Sequence, residues 1–150
     1  MQLGFSENAK ANQVRPPHSA DAQSTVTFCQ NDHDGRYLIG QDEWQFEIAT
    51  SSAGSDSIYI YNDPANINGV AIAKGAASIA DVADSSELNY TSRSRCLREG
   101  QIAVLRNSQG FYAALKILDV QDSSRGDASD SITIEYVILN NGGFDFTREK

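Results

Sequence analysis

The sequence predicts an all-β, mostly antiparallel fold: a small barrel or a two-layer sandwich of about seven to eight strands, with at most one short helix. Three observations predict it. Apolar residues recur at every second position in several short segments, the period of a strand with one buried face. Clusters of Gly, Asp, Asn and Ser separate those segments, as a fold rich in turns requires. Sustained helical spacing is scarce.

Residues 1–24 show little apolar periodicity, and Pro16 and Pro17 obstruct regular structure. They predict a flexible arm or linker, with 25–150 as a single β domain. Residues 25–30 (TVTFCQ) open that domain with Val26 and Phe28 on one side. After the turn at 31–35, RYLIG (36–40) makes a short second strand. In 44–50, Trp44, Phe46 and Ile48 face one way and Gln45 and Glu47 the other. Segment 58–62 sets Ile58 and Ile60 against Tyr59 and Tyr61. VAIA (70–73) is a short apolar strand. Residues 78–87 read either as a helical turn capped by Ser78 or as an irregular strand.

QIAVLR (101–106) and FYAALKILDV (111–120) flank the turn NSQG, where Gly110 supplies a positive φ, and so form a hairpin. On the return strand Phe111, Ala113, Leu115 and Ile117 share one face. Tyr112, Ala114, Leu118 and Val120 share the other. The adjacent pair Ala113 and Ala114 suits a tightly packed or strongly bent strand, which tilts the expectation toward a barrel. A polar loop leads to 131–140, where Ile132, Ile134, Tyr136 and Ile138 point inward. The tail from 141 reads as edge or coil.

With 150 residues the chain suits one domain, burying roughly 70% of its unfolded surface. Its net charge of −8 argues against bulk nucleic-acid binding, because phosphates reward basic surfaces. No apolar run reaches the roughly 20 residues of a membrane helix. The start shows neither a basic segment nor an apolar one, so no export signal is visible and a cytoplasmic location is expected over a secreted one. Cys29 and Cys96 belong to no CxxC or Cys/His cluster. They are expected to be free thiols, unless adjacent strands bring them together.

The hairpin lip, Arg106 and Asn107, satisfies a turn without any ligand. Four other features carry candidate chemistry. Asp119, Asp122, Asp127 and Asp130 form an acidic loop whose oxygens would suit calcium, although their spacing matches no dedicated calcium loop. No other cofactor is expected. Segment 30–41 places Asp32, Asp34 and Gly35 at the offsets of a calcium loop, but Gln30 and Gln41 stand where acids belong, so it reads as a turn. Arg125, Gly126 and Asp127 resemble the integrin-recognition tripeptide of adhesion proteins, over three residues only.

Arg93, Arg95, Arg98 and Arg106 cluster against the global charge, and guanidinium pairs suit phosphate or carboxylate. Tyr59 and Tyr61 would offer an exposed stacking pair. For catalysis there is no nucleophile elbow, HExxH, Walker loop or dinucleotide fingerprint. His33 is the only histidine in the expected domain. The sequence therefore points to a soluble, acidic, non-catalytic binding or accessory domain. Loops at one end would capture another protein or domain, or a small anionic ligand. Strand addition at an open sheet edge is a second mechanism, which a closed barrel would forbid. The alternatives are a calcium-stabilised extracellular adhesion module using 119–130 and a carboxylate-based hydrolase. Ligand, oligomeric state and strand order are not legible.

Overall fold

Phe46 and Ile48 flank Glu47, and both are buried while Glu47 is not, as a period of two demands. The computed structural model describes residues 16–30, 33–122 and 130–149. Ten strands run through it: β1 His18–Ser19, β2 Gln23–Cys29, β3 Arg36–Ile39, β4 Phe46–Gly54, β5 Ser57–Tyr61, β6 Ile67–Ile72, β7 Ser94–Arg98, β8 Ile102–Asn107, β9 Tyr112–Gln121 and β10 Ser131–Ile138. They make two five-stranded sheets, in the orders β1-β3-β4-β5-β7 and β2-β10-β9-β8-β6. Every pairing is antiparallel except that of β1 with β3. The only helical elements among the described residues are short 3₁₀ turns.

The inner faces meet in one core. Tyr37, Ile39, Phe46, Ile48, Ile58, Ile60 and Leu97 come from the first sheet. Phe28, Val70, Leu105, Leu115, Ile117, Ile134 and Tyr136 come from the second. The expected alternatives thus resolve to a sandwich, and the tilt toward a barrel is corrected. The second sheet is covered on its other face too. There Ala71, Ile102, Val104, Ala114 and Val137 lie under Ile79, Val82, Tyr90, Leu139 and Phe146. Ala113 and Ala114 are small because both faces of β9 are packed, not because the strand bends to close a barrel.

The cover has its own hydrogen bonds. Phe146 N–H donates to the Val82 carbonyl at 2.9 Å, and Ser85 N–H and Oγ both donate to the Phe144 carbonyl, at 3.0 and 2.7 Å. The Asp81 carboxylate accepts from the backbone N–H groups of Ala77 and Ser78. So 78–87 holds two 3₁₀ turns, Ile79–Asp81 and Ser85–Glu87, and the tail is part of a packed layer.

Other expectations shift locally. Residue 24 falls inside β2, and His18 and Ser19 pair with Leu38 and Ile39, so the expected arm boundary cuts folded chain. His18 Nε2 lies 2.7 Å from the Gly40 carbonyl, and Ser19 Oγ 2.6 Å from the Tyr136 hydroxyl. Residues 1–15 lie outside the described residues. Trp44 closes a 3₁₀ turn and is half-buried against the core, while the strand begins at Phe46. Gly40 precedes that turn with a φ of +82°, and a Cβ there would run into the Trp44 carbonyl. Val120 sits in the core with Ile117, not on the Tyr112 face. A bulge opposite Thr133 absorbs Leu118, which is exposed, and restores the alternation one residue later.

Candidate functional site

The four arginines do not form one cluster. Arg95 faces the interior side of β7, opposite Ile60. Its Nε donates to the Val70 carbonyl at 3.3 Å and one terminal nitrogen to the Asn89 carbonyl at 2.6 Å. Arg106 lies on the far side of the second sheet, paired with Tyr112. Its guanidinium stacks on Tyr90, 4.4 Å from the ring centroid, and reaches Asn68 Oδ1 at 3.4 Å. Both arginines thus hold the 85–92 segment, one through a carbonyl and one through a ring. Arg93 and Arg98 are exposed, and Arg98 stands opposite Ser57. An ion pair lies elsewhere, from Arg36 to Glu47 at 2.6 Å. That bond raises the Arg36 pKa.

Tyr59 and Tyr61 do share the outer face of the first sheet, with ring centroids 6.2 Å apart. Tyr59 is exposed, and the Tyr61 hydroxyl lies 2.6 Å from Ser51 Oγ. Opposite them stand Cys96 and Ser94. Cys29 and Cys96 are free thiols on strands of different sheets.

Asp119 lies opposite Thr133 and accepts from Gln121 Nε2 at 2.8 Å. Asp122 is buried and Asp130 half-buried, and both hold polar interactions of their own. Asp127, with the rest of the Arg-Gly-Asp tripeptide, lies outside the described residues, as do residues 31 and 32 of the second acidic turn. Among the described residues no three His, Cys, Asp or Glu side chains converge on a metal position.

Asn107, at the hairpin lip, is buried and fully bonded. Its Nδ2 donates to the carbonyls of Glu43 and Gln45, at 3.0 and 3.1 Å. Its Oδ1 accepts from the N–H groups of Gln109 and Phe111. The lip is therefore a strut between two loops.

Two open sheets have four edges, and the sequence treats them differently. β1 is two residues long and follows two prolines. The β6 and β7 edges lie on the same side, where Arg95 spans from one to the other. A ring sits over β6 as well: a Cβ on Gly69 would meet the Tyr90 Cβ at 2.7 Å. Short strands, proline and covering side chains are the usual means of blunting an edge.

β2 has none of these. It runs seven residues, QSTVTFC, in unbroken register with β10. Gln30 N–H donates to the Asp130 carbonyl, and Ile138 N–H to that of Ala22, each at 2.7 Å. Both bonds belong to pairs at even positions of β2. Antiparallel hydrogen-bonded pairs recur every second residue, so Ser24, Val26 and Phe28 also bond to β10. Gln23, Thr25, Thr27 and Cys29 then direct their N–H and C=O groups outward. No described strand pairs with this side. Among the described residues the one bond to that row is long and exposed, from Ser24 Oγ to the Thr25 carbonyl at 3.5 Å. On the outer face Thr27 Oγ1 meets Thr133 Oγ1 at 2.8 Å.

The sequence did not single out β2, because an edge is a property of strand order. Its missing charges were the available signal: residues 22–31 hold no Asp, Glu, Lys or Arg. Comparison with protein-family models, with curated proteins and with solved structures finds no match to this chain.

Proposed function

We propose that the chain is a non-catalytic binding domain that takes an extended polypeptide segment along β2 as an added strand. One observation carries the reading: among the described residues, of four sheet edges, β2 alone offers a regular, uncharged row of backbone donors and acceptors. Main-chain bonds from such a row supply affinity, and alternate side chains supply selectivity. The partner segment expected here is uncharged and rich in β-branched residues, matching Thr25, Val26 and Thr27. Anion capture by the arginines has less support, since the Arg95 and Arg106 guanidiniums already serve the 85–92 segment.

The test is a panel of immobilised uncharged peptides of alternating pattern, including the chain's own residues 22–30. A Thr25→Pro, Thr27→Pro double variant removes two outward donors without touching the bonds to β10. The wild type should retain at least one peptide, and the variant, folded by circular dichroism, should retain none. Equal retention by both proteins, or retention by neither, removes the reading.

A further inference from the structure

We infer that the segment added to β2 is β2 of a second copy of this chain, antiparallel about a two-fold axis through Val26. This rests on the strand-addition reading and names its occupant. The outward row sits at positions 23, 25, 27 and 29, so a self-pair must bring odd positions to odd positions. Centring the axis on Val26 does so over the whole strand. Thr25 then bonds to Thr27 of the partner subunit, and Gln23 to Cys29 of the partner subunit. Val26 meets Val26 of the partner subunit on the core side.

Three features favour a copy over a foreign segment. The stretch Thr25-Val26-Thr27 is symmetric about its centre, so the two-fold pair sets threonine against threonine on both sides of the axis, a favourable cross-strand match. The hydroxyl contact of Thr27 with Thr133 continues onto Thr25 of the partner subunit, extending a threonine row across the join. Charge selects the same place. Two chains of net charge −8 repel, and the uncharged window 22–31 is where their surfaces can approach. In this register the two Asp21 residues lie at opposite ends of the pair. Val26, only partly buried at the rim of the core, gains cover from its own equivalent. Two five-stranded sheets become one of ten.

The register is tested by cross-linking in a Cys96→Ser background, which leaves Cys29 as the sole native thiol. A hydrogen-bonded pair holds its Cα atoms about 5.5 Å apart, within disulfide reach. Gln23→Cys should therefore give a reducible, disulfide-linked dimer under mild oxidation. Thr25→Cys should give much less, because it faces Thr27 and not Cys29. A Gln23→Cys cross-link cannot form within one chain, since six residue steps along the strand put positions 23 and 29 about 20 Å apart. Sedimentation of the wild type up to about 1 mM should show the mass double, and the Thr25→Pro, Thr27→Pro variant should stay monomeric. A wild type that remains monomeric, or a Gln23→Cys yield no higher than that of Thr25→Cys, overturns the inference. If uncharged peptides still bind in a proline-sensitive way, strand addition stands and only the second copy is excluded. If they do not, both fall.

Discussion

The Arg106 guanidinium lies over Tyr90, 4.4 Å from the ring centroid, while the Tyr90 hydroxyl donates to the Ser85 carbonyl at 2.6 Å. One aromatic side chain thus ties a charged strand residue to the layer covering the second sheet. Arg95 grips the same segment from the other side through the Asn89 carbonyl.

These contacts predict unequal costs among the arginines. Arg95→Met should lose about 1.5–3 kcal/mol, the range for hydrogen bonds made by a charged group. Arg106→Met should lose about 0.5–1 kcal/mol of cation–π attraction. Arg93→Met should stay within about 0.5 kcal/mol of wild type. Urea unfolding of the three variants measures this. A ranking with Arg93 as the costliest would contradict the geometry.

Asn107 should be the least replaceable residue of its hairpin. Asn107→Ala removes a partner from two carbonyls and two N–H groups. The Gln45 carbonyl keeps Asn66 Nδ2, and Glu43 and Gln109 reach solvent, so the total cost should be about 1–3 kcal/mol. Asn107→Asp keeps the two accepted bonds but turns a second oxygen toward the Glu43 and Gln45 carbonyls. That raises the new carboxyl's pKa, so its folded form prefers the proton. Stability is then present below the unfolded value of about 3.9 and lost as pH rises through the folded value. Melting of Asn107→Asp should recover toward wild type on acidification, relative to a wild-type control at each pH.

Gly69 is a spacing residue, and its φ is ordinary. A Cβ there would press on the Tyr90 Cβ at 2.7 Å and on ring carbons at 3.0 and 3.1 Å. Gly69→Ala should therefore cost about 1–3 kcal/mol through displacement of the ring. The variant's near-ultraviolet circular dichroism should change while its far-ultraviolet spectrum does not.

Burial pushes the phenols of Tyr90, Tyr37 and Tyr136 above the ordinary tyrosine range, with Tyr90 shifted furthest. Above pH about 10 the unfolded phenols lose protons that the folded ones keep. The unfolded state then binds fewer protons, and stability falls with rising pH. Tyr90→Phe should start lower by about 1 kcal/mol, for the lost bond to Ser85. Its alkaline decline should be shallower, as read from melting midpoints between pH about 9 and 11.

The two-sided nature of the fold was only half legible. Val26, Phe46, Ile48, Ile58 and Ile60 alternate with polar residues, so their strands could be read. β7 could not, because its inner row holds Arg95 where an apolar residue would announce a strand. β1 could not, because two residues carry no periodicity. In β6, β8 and β9 both faces are apolar, which blurs alternation and hides the third layer of which Phe146 is part. The arginine cluster was visible as spacing, but spacing cannot say that Arg95 and Arg106 point to opposite sides of the second sheet. Nor can it reveal an open edge, which exists only once the strand order 2-10-9-8-6 is known.

That order also sets when the protein can assemble. β2 lies next to β10, the last in chain order of the described strands, and Ser24 is matched to Tyr136. Synthesis must pass residue 138 before the second sheet has its first strand in place. Until then the row Ile132, Ile134 and Tyr136 does not exist, and Phe28 waits without its neighbours. Closure of this sheet is therefore expected to wait for β10, at the slow pace of topologies built on distant pairings. The same uncharged β2 that would meet a twin in the finished protein is the segment most in need of protection while the nascent chain is incomplete.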